Sequence, residues 1–301
     1  MTGYTLSKLM TVMTALFLTA CAHQGTSNEK TTDIINSEKA NLLSLNNALA
    51  IQDDKAKARY QHRHPKETLE FFEIEPGMTV VEVLPGGGWY TKILLPYLGE
   101  NGKIIGADYP INLWSNFSFM TPEKIEEKKT WVTNWVQDAS EWKTQKSANL
   151  DAFQFNAMPE TMQGTADAVL FIRAMHNLNR FEPEGGYLTS ALNESFAALK
   201  PGGLLGIVQH QGSEDQPDKW ANGDNGYLKQ SYVIEQVTAA GFEFVAQSNI
   251  NNNPKDQAVE GEAVWRLLPS LRGADDDPVK KAAAEAIGES NRMTLKFRKP
   301  I

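Results

Sequence analysis

The sequence predicts one doubly wound α/β domain, a mostly parallel sheet covered by helices on both faces. Three observations predict it. Apolar runs of strand length alternate with helical patterns from about residue 78 onward. Glycine and Pro-Gly pairs punctuate the joins, and the last run alternates like an antiparallel strand.

The elements follow in order. "PKETLEFFEI" starts at Pro65, a proline where helices accept one, and Leu69, Phe71 and Phe72 give it an apolar side. Pro76-Gly77 stops it before the strand "MTVVEVL" and the helix "WYTKILLPYL". The turn Glu100-Asn101-Gly102 introduces the strand "GKIIGADY", and "PEKIEEKKTWVTNWVQDA" reads as one helix. "LDAFQF" and "TADAVLFIRAM" are the next strands. The helix "GGYLTSALNESFAAL" is closed by Lys200-Pro201-Gly202-Gly203 and followed by the strand "GLLGIVQHQ". "SYVIEQVTAAGF" is helical up to Gly241, and "EFVAQSNI" follows as a strand. Residues 249–292 are rich in Asn, Asp and Pro, with a short helix near "VKKAAAEAIG", and read as a surface excursion rather than a substrate lid. "RMTLKFRKP" is the terminal strand. A fixed-period repeat is absent, which excludes a solenoid.

The N-terminus differs in kind. Lys8 precedes "LMTVMTALFL", too short for a mature membrane span but suited to a signal-peptide core. The run ends in Leu18-Thr19-Ala20-Cys21, which resembles a bacterial lipobox with Cys21 as the lipidated residue. The expected organisation is a signal and lipobox over 1–21, a flexible tether over 22–49 and the α/β domain over 50–301. The expected location is the bacterial envelope, as a periplasm-facing lipoprotein held by a lipid on Cys21. Cys21 is the single cysteine, so an internal disulfide is excluded and a catalytic thiol disfavoured. A net charge of −8 without a basic run argues against nucleic-acid binding. Oligomeric state is not legible.

Chemistry concentrates at the strand ends. In "VVEVLPGGGWY" a strand delivers Glu82, then Gly86, Gly87 and Gly88, then a helix. Such glycines let a backbone approach a ligand closely, beside the unpaired N–H groups of a helix start. The spacing is not G-x-G-x-x-G, and the absence of a Lys-Ser/Thr pair excludes a P-loop. About 20 residues on, Asp108 ends the second strand, where a carboxylate can accept both hydroxyls of a ribose. Together these suggest an adenosine-containing ligand without a diphosphate. The alternative has Glu82 and Asp108 bonding only to nearby groups of the protein.

Glu82 through Gly88, Asp108, "LKPGG", "AAGF" and "RMTLKFRKP" resemble class I S-adenosylmethionine-dependent methyltransferases, over about residues 60–300. More narrowly, "GGGWYTKIL" and "RAMHNL" resemble a set of bacterial methyltransferases that are often exported. The resemblance implies a Rossmann-like, seven-stranded sheet with its last strand antiparallel, and S-adenosylmethionine as cofactor. It would place Glu82 near the methionine amino group, Gly86, Gly87 and Gly88 along the cofactor, and Asp108 on the ribose. Asn156 would face the adenine. The sequence departs from the family motif at Leu84, which stands at its first glycine, and Pro85 stiffens the same turn.

His176 and His210 follow the fourth and fifth strands, at tips that converge over the crevice of an α/β sheet. Either imidazole can serve as a general base toward an acceptor, or cap a strand end and pack against an aromatic ring. As zinc ligands they lack a third partner at motif spacing. Tyr90 either packs in the core or reaches the methyl-donor pocket. Arg173, near the end of the fourth strand, is expected to pair with an acidic group. G-x-S-x-G and H-E-x-x-H are absent. The expected function is methyl transfer to a small-molecule or envelope-associated acceptor. The alternative is a non-catalytic envelope lipoprotein that keeps the fold and binds another ligand.

Overall fold

Alternation of side chains is what divides the core. The computed structural model describes residues 45–301. Along β1 (Thr79–Val83), β2 (Lys103–Asp108), β3 (Asn149–Gln154), β4 (Ala166–Ile172) and β5 (Leu199–Gly212), successive residues feed two separate apolar clusters. Val80, Ile104, Ala152, Leu170 and Leu204 join one, while Val81, Ile105, Phe153, Val169 and Leu205 join the other. A strand sends neighbouring side chains to opposite faces, so each cluster is one helix-covered face of the sheet. The first face takes the helices Pro65–Phe71, Thr91–Leu98 and Trp131–Ser140, and the second takes Met175–Arg180, Tyr187–Ala198 and Gln230–Ala239. Gly106 shows how close the packing is, because a Cβ there would stand 2.8 Å from the Trp135 ring.

The strand order is β3-β2-β1-β4-β5-β8-β7, completed by β7 (Glu243–Ser248) and β8 (Arg292–Arg298). β1 through β5 pair in parallel, and β8 runs antiparallel to both β5 and β7. The sheet has eight strands where seven were expected. The addition is β6 (Leu228–Lys229), which pairs with the last two residues of β5. β5 also starts earlier than expected: Leu199 pairs with Ala166, and Lys200-Pro201-Gly202-Gly203 forms an irregular stretch within the strand rather than a turn before it. Gly202 and Gly203 exchange backbone hydrogen bonds with Lys299, which holds that stretch in the sheet.

Other departures are local. The long polar helix is two, Pro122–Lys128 and Trp131–Ser140, separated at Lys129-Thr130. Residues 45–50 are helical, and Leu45, Ala48 and Leu49 are buried in the first core cluster. The end of the stretch read as a tether is therefore part of the domain. The segment 249–292 is more than a surface excursion, because Val264, Trp265 and Leu267 lie over the strand tips. Within it Arg266 pairs with the buried Asp256, and Tyr227, outside the segment, ties it down by donating to Asp256 and accepting from Arg266. Among the described residues, no helix is long and apolar enough to cross a membrane. Cys21 and its lipobox lie outside the described residues.

Candidate functional site

The chain runs from β1 outward to β2 and β3 on one side, and to β4 and β5 on the other. A crevice forms at the carboxyl ends of such strands, where the winding reverses. Register sets the tips side by side: Val83 is level with Phe171, and Ile172 with Val208, so Leu84, Arg173 and His210 emerge together.

At the tip of β1, Leu84 has φ 53°, a left-handed conformation usually left to glycine. The motif that the sequence resembles has a glycine here, and Leu84 instead takes a backbone conformation that glycine adopts most readily. The Leu84 side chain lines both cavities of the crevice. Gly86 and Gly88 also have positive φ, and the Gly88 N–H closes the turn onto the Pro85 carbonyl at 2.9 Å. The three glycines differ in surroundings. A Cβ on Gly87 would meet nothing within 4 Å, and one on Gly86 would barely touch the Leu84 carbonyl, whereas one on Gly88 would overlap the Trp142 ring at 2.1 Å. Gly86 and Gly87 offer bare backbone to a ligand, while Gly88 is required by packing.

Beneath this turn Glu82 is buried and accepts a 2.7 Å hydrogen bond from the Thr91 hydroxyl at the start of the following helix. Burial pushes its carboxyl up to about 7, with the Thr91 bond pulling the other way. Tyr90 is also buried, at the N-cap of that helix, with Trp89 against its ring and the charges of Arg173, Arg63 and Arg292 nearby. It lines neither cavity of the crevice.

Asp108 ends β2 and is buried, and its partner is Lys128, with Nζ 3.0 Å from Oδ2. The same ammonium lies 3.8 Å from the centre of the Trp114 ring. Burial raises the Asp108 pKa and Lys128 opposes that shift. Asn156 departs from expectation. It follows β3 with φ 69°, its N–H donates to Glu194, and its side-chain oxygen accepts from Ser190. Those partners sit on the helix Tyr187–Ala198, so Asn156 faces a separate surface hollow and not the crevice.

Two cavities open over the tips, sharing Leu84, Arg173 and Trp265 as walls. The larger, ≈ 800 Å³, extends over Tyr109, Trp114 and His176. The smaller, ≈ 280 Å³, reaches His210, Glu289 and Ser290. The structure brings the two histidines together, with ring centres 5.5 Å apart, but each faces its own cavity. His176 Nδ1 stands 3.5 Å from the Gln209 amide oxygen, and His210 Nδ1 lies 2.6 Å from the Ser290 hydroxyl. Burial lowers His176 to about 4 and His210 well below its ordinary value, the latter assisted by neighbouring His176, which resists a second proton on the pair, and by the charge of Arg173. Both imidazoles are therefore neutral at pH 7 and can accept a proton. Among the described residues, no group of three or more His, Cys, Asp or Glu is placed to hold a metal ion.

Several contributors escaped the sequence reading. Lys128 carried no motif. Trp265 lay in the segment read as a surface excursion. Arg173 does pair with an acid, Glu289, but that carboxylate also receives Arg59, Arg63 and Arg292. The spacing Arg59-x-x-x-Arg63 was a signal available in the sequence, since residues four apart share a helix face.

No protein-family model matches the chain, and no curated protein matches it. Solved structures do. The chain is similar to an S-adenosylmethionine-dependent methyltransferase from Aquifex aeolicus, at 16% identity, over 84% of this chain, with TM-score 0.46.

 The match spans 97% of the Aquifex chain. It is also similar to the Burkholderia thailandensis 1,6-didemethyltoxoflavin-N1-methyltransferase with bound 1,6-didemethyltoxoflavin and S-adenosylhomocysteine. There the identity is 13%, the match covers 96% of this chain and 94% of that one, and the TM-score is 0.45. The cyclase SpnF is similar at 16% identity, over 88% of this chain and 95% of that one, with TM-score 0.47. These likenesses are distant, and a fold of this kind serves more than one chemistry.

Proposed function

We propose that the protein is an S-adenosylmethionine-dependent methyltransferase acting on a small acceptor. The observation that carries this reading is the pairing of a bare glycine turn with a buried acid at neighbouring strand tips. Gly86 and Gly87 lie exposed in the turn that follows β1, Asp108 ends β2 beside it, and both stand next to the crevice, whose two cavities they do not line. The residues fit the cofactor in part. Gly86 and Gly87 leave the close approach that a nucleoside needs, and Glu82 supplies a carboxylate under the turn. Asp108 suits a ribose once Lys128 has moved aside. Asn156 has no part in the fit.

When bound, the cofactor supplies an electrophilic methyl group. The chain's own contribution is mainly positioning. The larger cavity, between Tyr109, Trp114 and Trp265, holds the acceptor, and Trp265 from the overlying segment limits water. His176 faces that cavity as a neutral imidazole and takes the acceptor's proton. His210, held by Ser290, is the second base.

One observation favours the other reading, a ligand-binding envelope lipoprotein without catalysis: Lys128 already occupies Asp108. The envelope location and lipidation of Cys21 rest on the sequence alone. Calorimetric titration of the full-length protein with S-adenosylmethionine and S-adenosylhomocysteine separates the two. Micromolar binding that Asp108→Ala abolishes is expected. The absence of heat from either ligand at millimolar concentration would rule out the methyltransferase.

A further inference from the structure

Four guanidiniums converge on one carboxylate behind the smaller cavity. Glu289, buried at 3% exposure, is within ion-pairing distance of Arg59, Arg63, Arg173 and Arg292. Arg59 and Arg63 arrive from the N-terminal helices and donate through their Nε atoms at 2.8 and 3.1 Å. Arg292 Nη1 stands at 3.2 Å, and Arg292 also donates to the backbone carbonyls of Ser290 and His62. Arg173 is different. Its Nη1 is 3.7 Å from Glu289, too far for a hydrogen bond, and among the described residues its guanidinium makes none.

Four positive charges against one negative charge leave the cluster at +3, with Arg63 and Arg292 buried and Arg59 and Arg173 each keeping 23% exposure. Buried charge is costly unless it is paired. The neighbouring Tyr90 does not supply the missing anion, because burial raises its pKa. The two histidines add no negative charge. Burial, together with repulsion from Arg173, lowers Arg63 to about 9, still cationic at neutral pH. Burial outweighs the attraction of Glu289 at Arg292 and lowers it to about 10.

The cavity of ≈ 280 Å³ opens on the under-satisfied member of this set. Arg173, Glu289, Ser290 and His210 form its polar end. Its other walls are apolar apart from Ser270, with Ile172, Leu267 and Leu268 among them. A guanidinium with free donors at one end of an apolar cavity matches an oxyanion carried on an apolar body. We propose that the smaller cavity is a binding site for a small organic oxyanion, a carboxylate or phosphate monoester, held by Arg173 and Ser290 with its apolar part against Leu267 and Leu268. The site does not depend on methyl transfer, and its test uses no nucleoside.

The probes are benzoate, phenyl phosphate and the neutral benzamide, titrated calorimetrically into the full-length protein. Benzoate or phenyl phosphate should bind at least tenfold more tightly than benzamide, with affinity that falls as ionic strength rises. Comparing the two anions identifies which headgroup the site prefers. Arg173→Gln should lose that preference by tenfold or more, with Arg173→Lys retaining part of it. Leu268→Trp, which fills the cavity and leaves every arginine in place, should abolish binding even if Arg173→Gln proves too unstable to study. Equal affinity for anions and benzamide would overturn the proposal, as would undiminished anion binding by a folded Leu268→Trp or Arg173→Gln protein.

Discussion

Lys128 Nζ lies 3.0 Å from Asp108 Oδ2, and the ammonium also rests over the Trp114 ring. The acid at the tip of β2 therefore already has a cationic partner, which a ribose must replace. Removing that cation leaves a buried carboxylate unpaired. Lys128→Met should cost about 2 kcal/mol in thermal or denaturant unfolding, less than a fully buried pair because the lysine keeps some exposure. The same variant should bind S-adenosylmethionine several-fold more tightly in calorimetry, since no ion pair has to open. Unchanged affinity would show that the ligand never reaches Asp108.

The glycine turn separates folding from binding. Gly88→Ala places a methyl group against the Trp142 ring at a left-handed residue, and should lose about 2–4 kcal/mol of stability. Gly87→Ala meets open space and should unfold within about 0.5 kcal/mol of the parent. If the turn cradles a nucleoside, Gly87→Ala should nonetheless weaken S-adenosylhomocysteine binding tenfold or more. A Gly87→Ala protein with parental affinity would move the ligand elsewhere.

His176→Ala should spare cofactor binding and lower turnover by about a hundredfold if it serves as the base. His210→Ala, on the smaller cavity, should do less. Single-turnover kinetics with the cofactor saturating makes the comparison, and unchanged rates in both variants would remove the histidines from the reaction.

Two buried groups tilt stability with pH in opposite directions. Glu82, raised to about 7, contributes stability that is fully present below about 4.5 and is lost as pH rises through 7. His176, lowered to about 4, contributes stability present above about 6.5 and lost as pH falls through 4. Each is worth on the order of 3 kcal/mol across its window. Relative to the parent, Glu82→Gln should make stability rise more steeply between pH 4.5 and 6.5, and His176→Gln should make it rise less. Urea unfolding across that range reads both slopes. Parallel profiles for all three proteins would mean that neither group titrates differently on folding.

Much of the fold is legible along the chain because alternation of apolar residues and punctuation by glycine and proline are local signals. The split of Val80 and Val81 to opposite faces follows from the strand period alone. The irregular start of β5 was not legible, because Lys200-Pro201-Gly202-Gly203 looks like a turn until Lys299 bonds to it from the far end of the chain. The segment 249–292 was misjudged for a similar reason. Its polar composition suits a surface loop, but Val264, Trp265 and Leu267 are the residues that matter, and the segment is tied down where Asp256 and Arg266 both bond to Tyr227.

The sequence by itself determined the alternating α/β layout, the glycine turn after β1, the acid at the tip of β2 and the two histidines at the tips of β4 and β5. Each depends on neighbours within a few residues, so the pattern is written locally. Only the tertiary structure decided which of these residues share a space. It turned Asn156 toward Ser190 and Glu194, gave Asp108 its lysine and divided the histidines between two cavities. It also gathered Arg59, Arg63, Arg173 and Arg292 on Glu289, across up to 230 residues of chain. Charge pairing and close packing act through space, and a linear pattern carries no record of which distant groups the closed sheet will bring into reach.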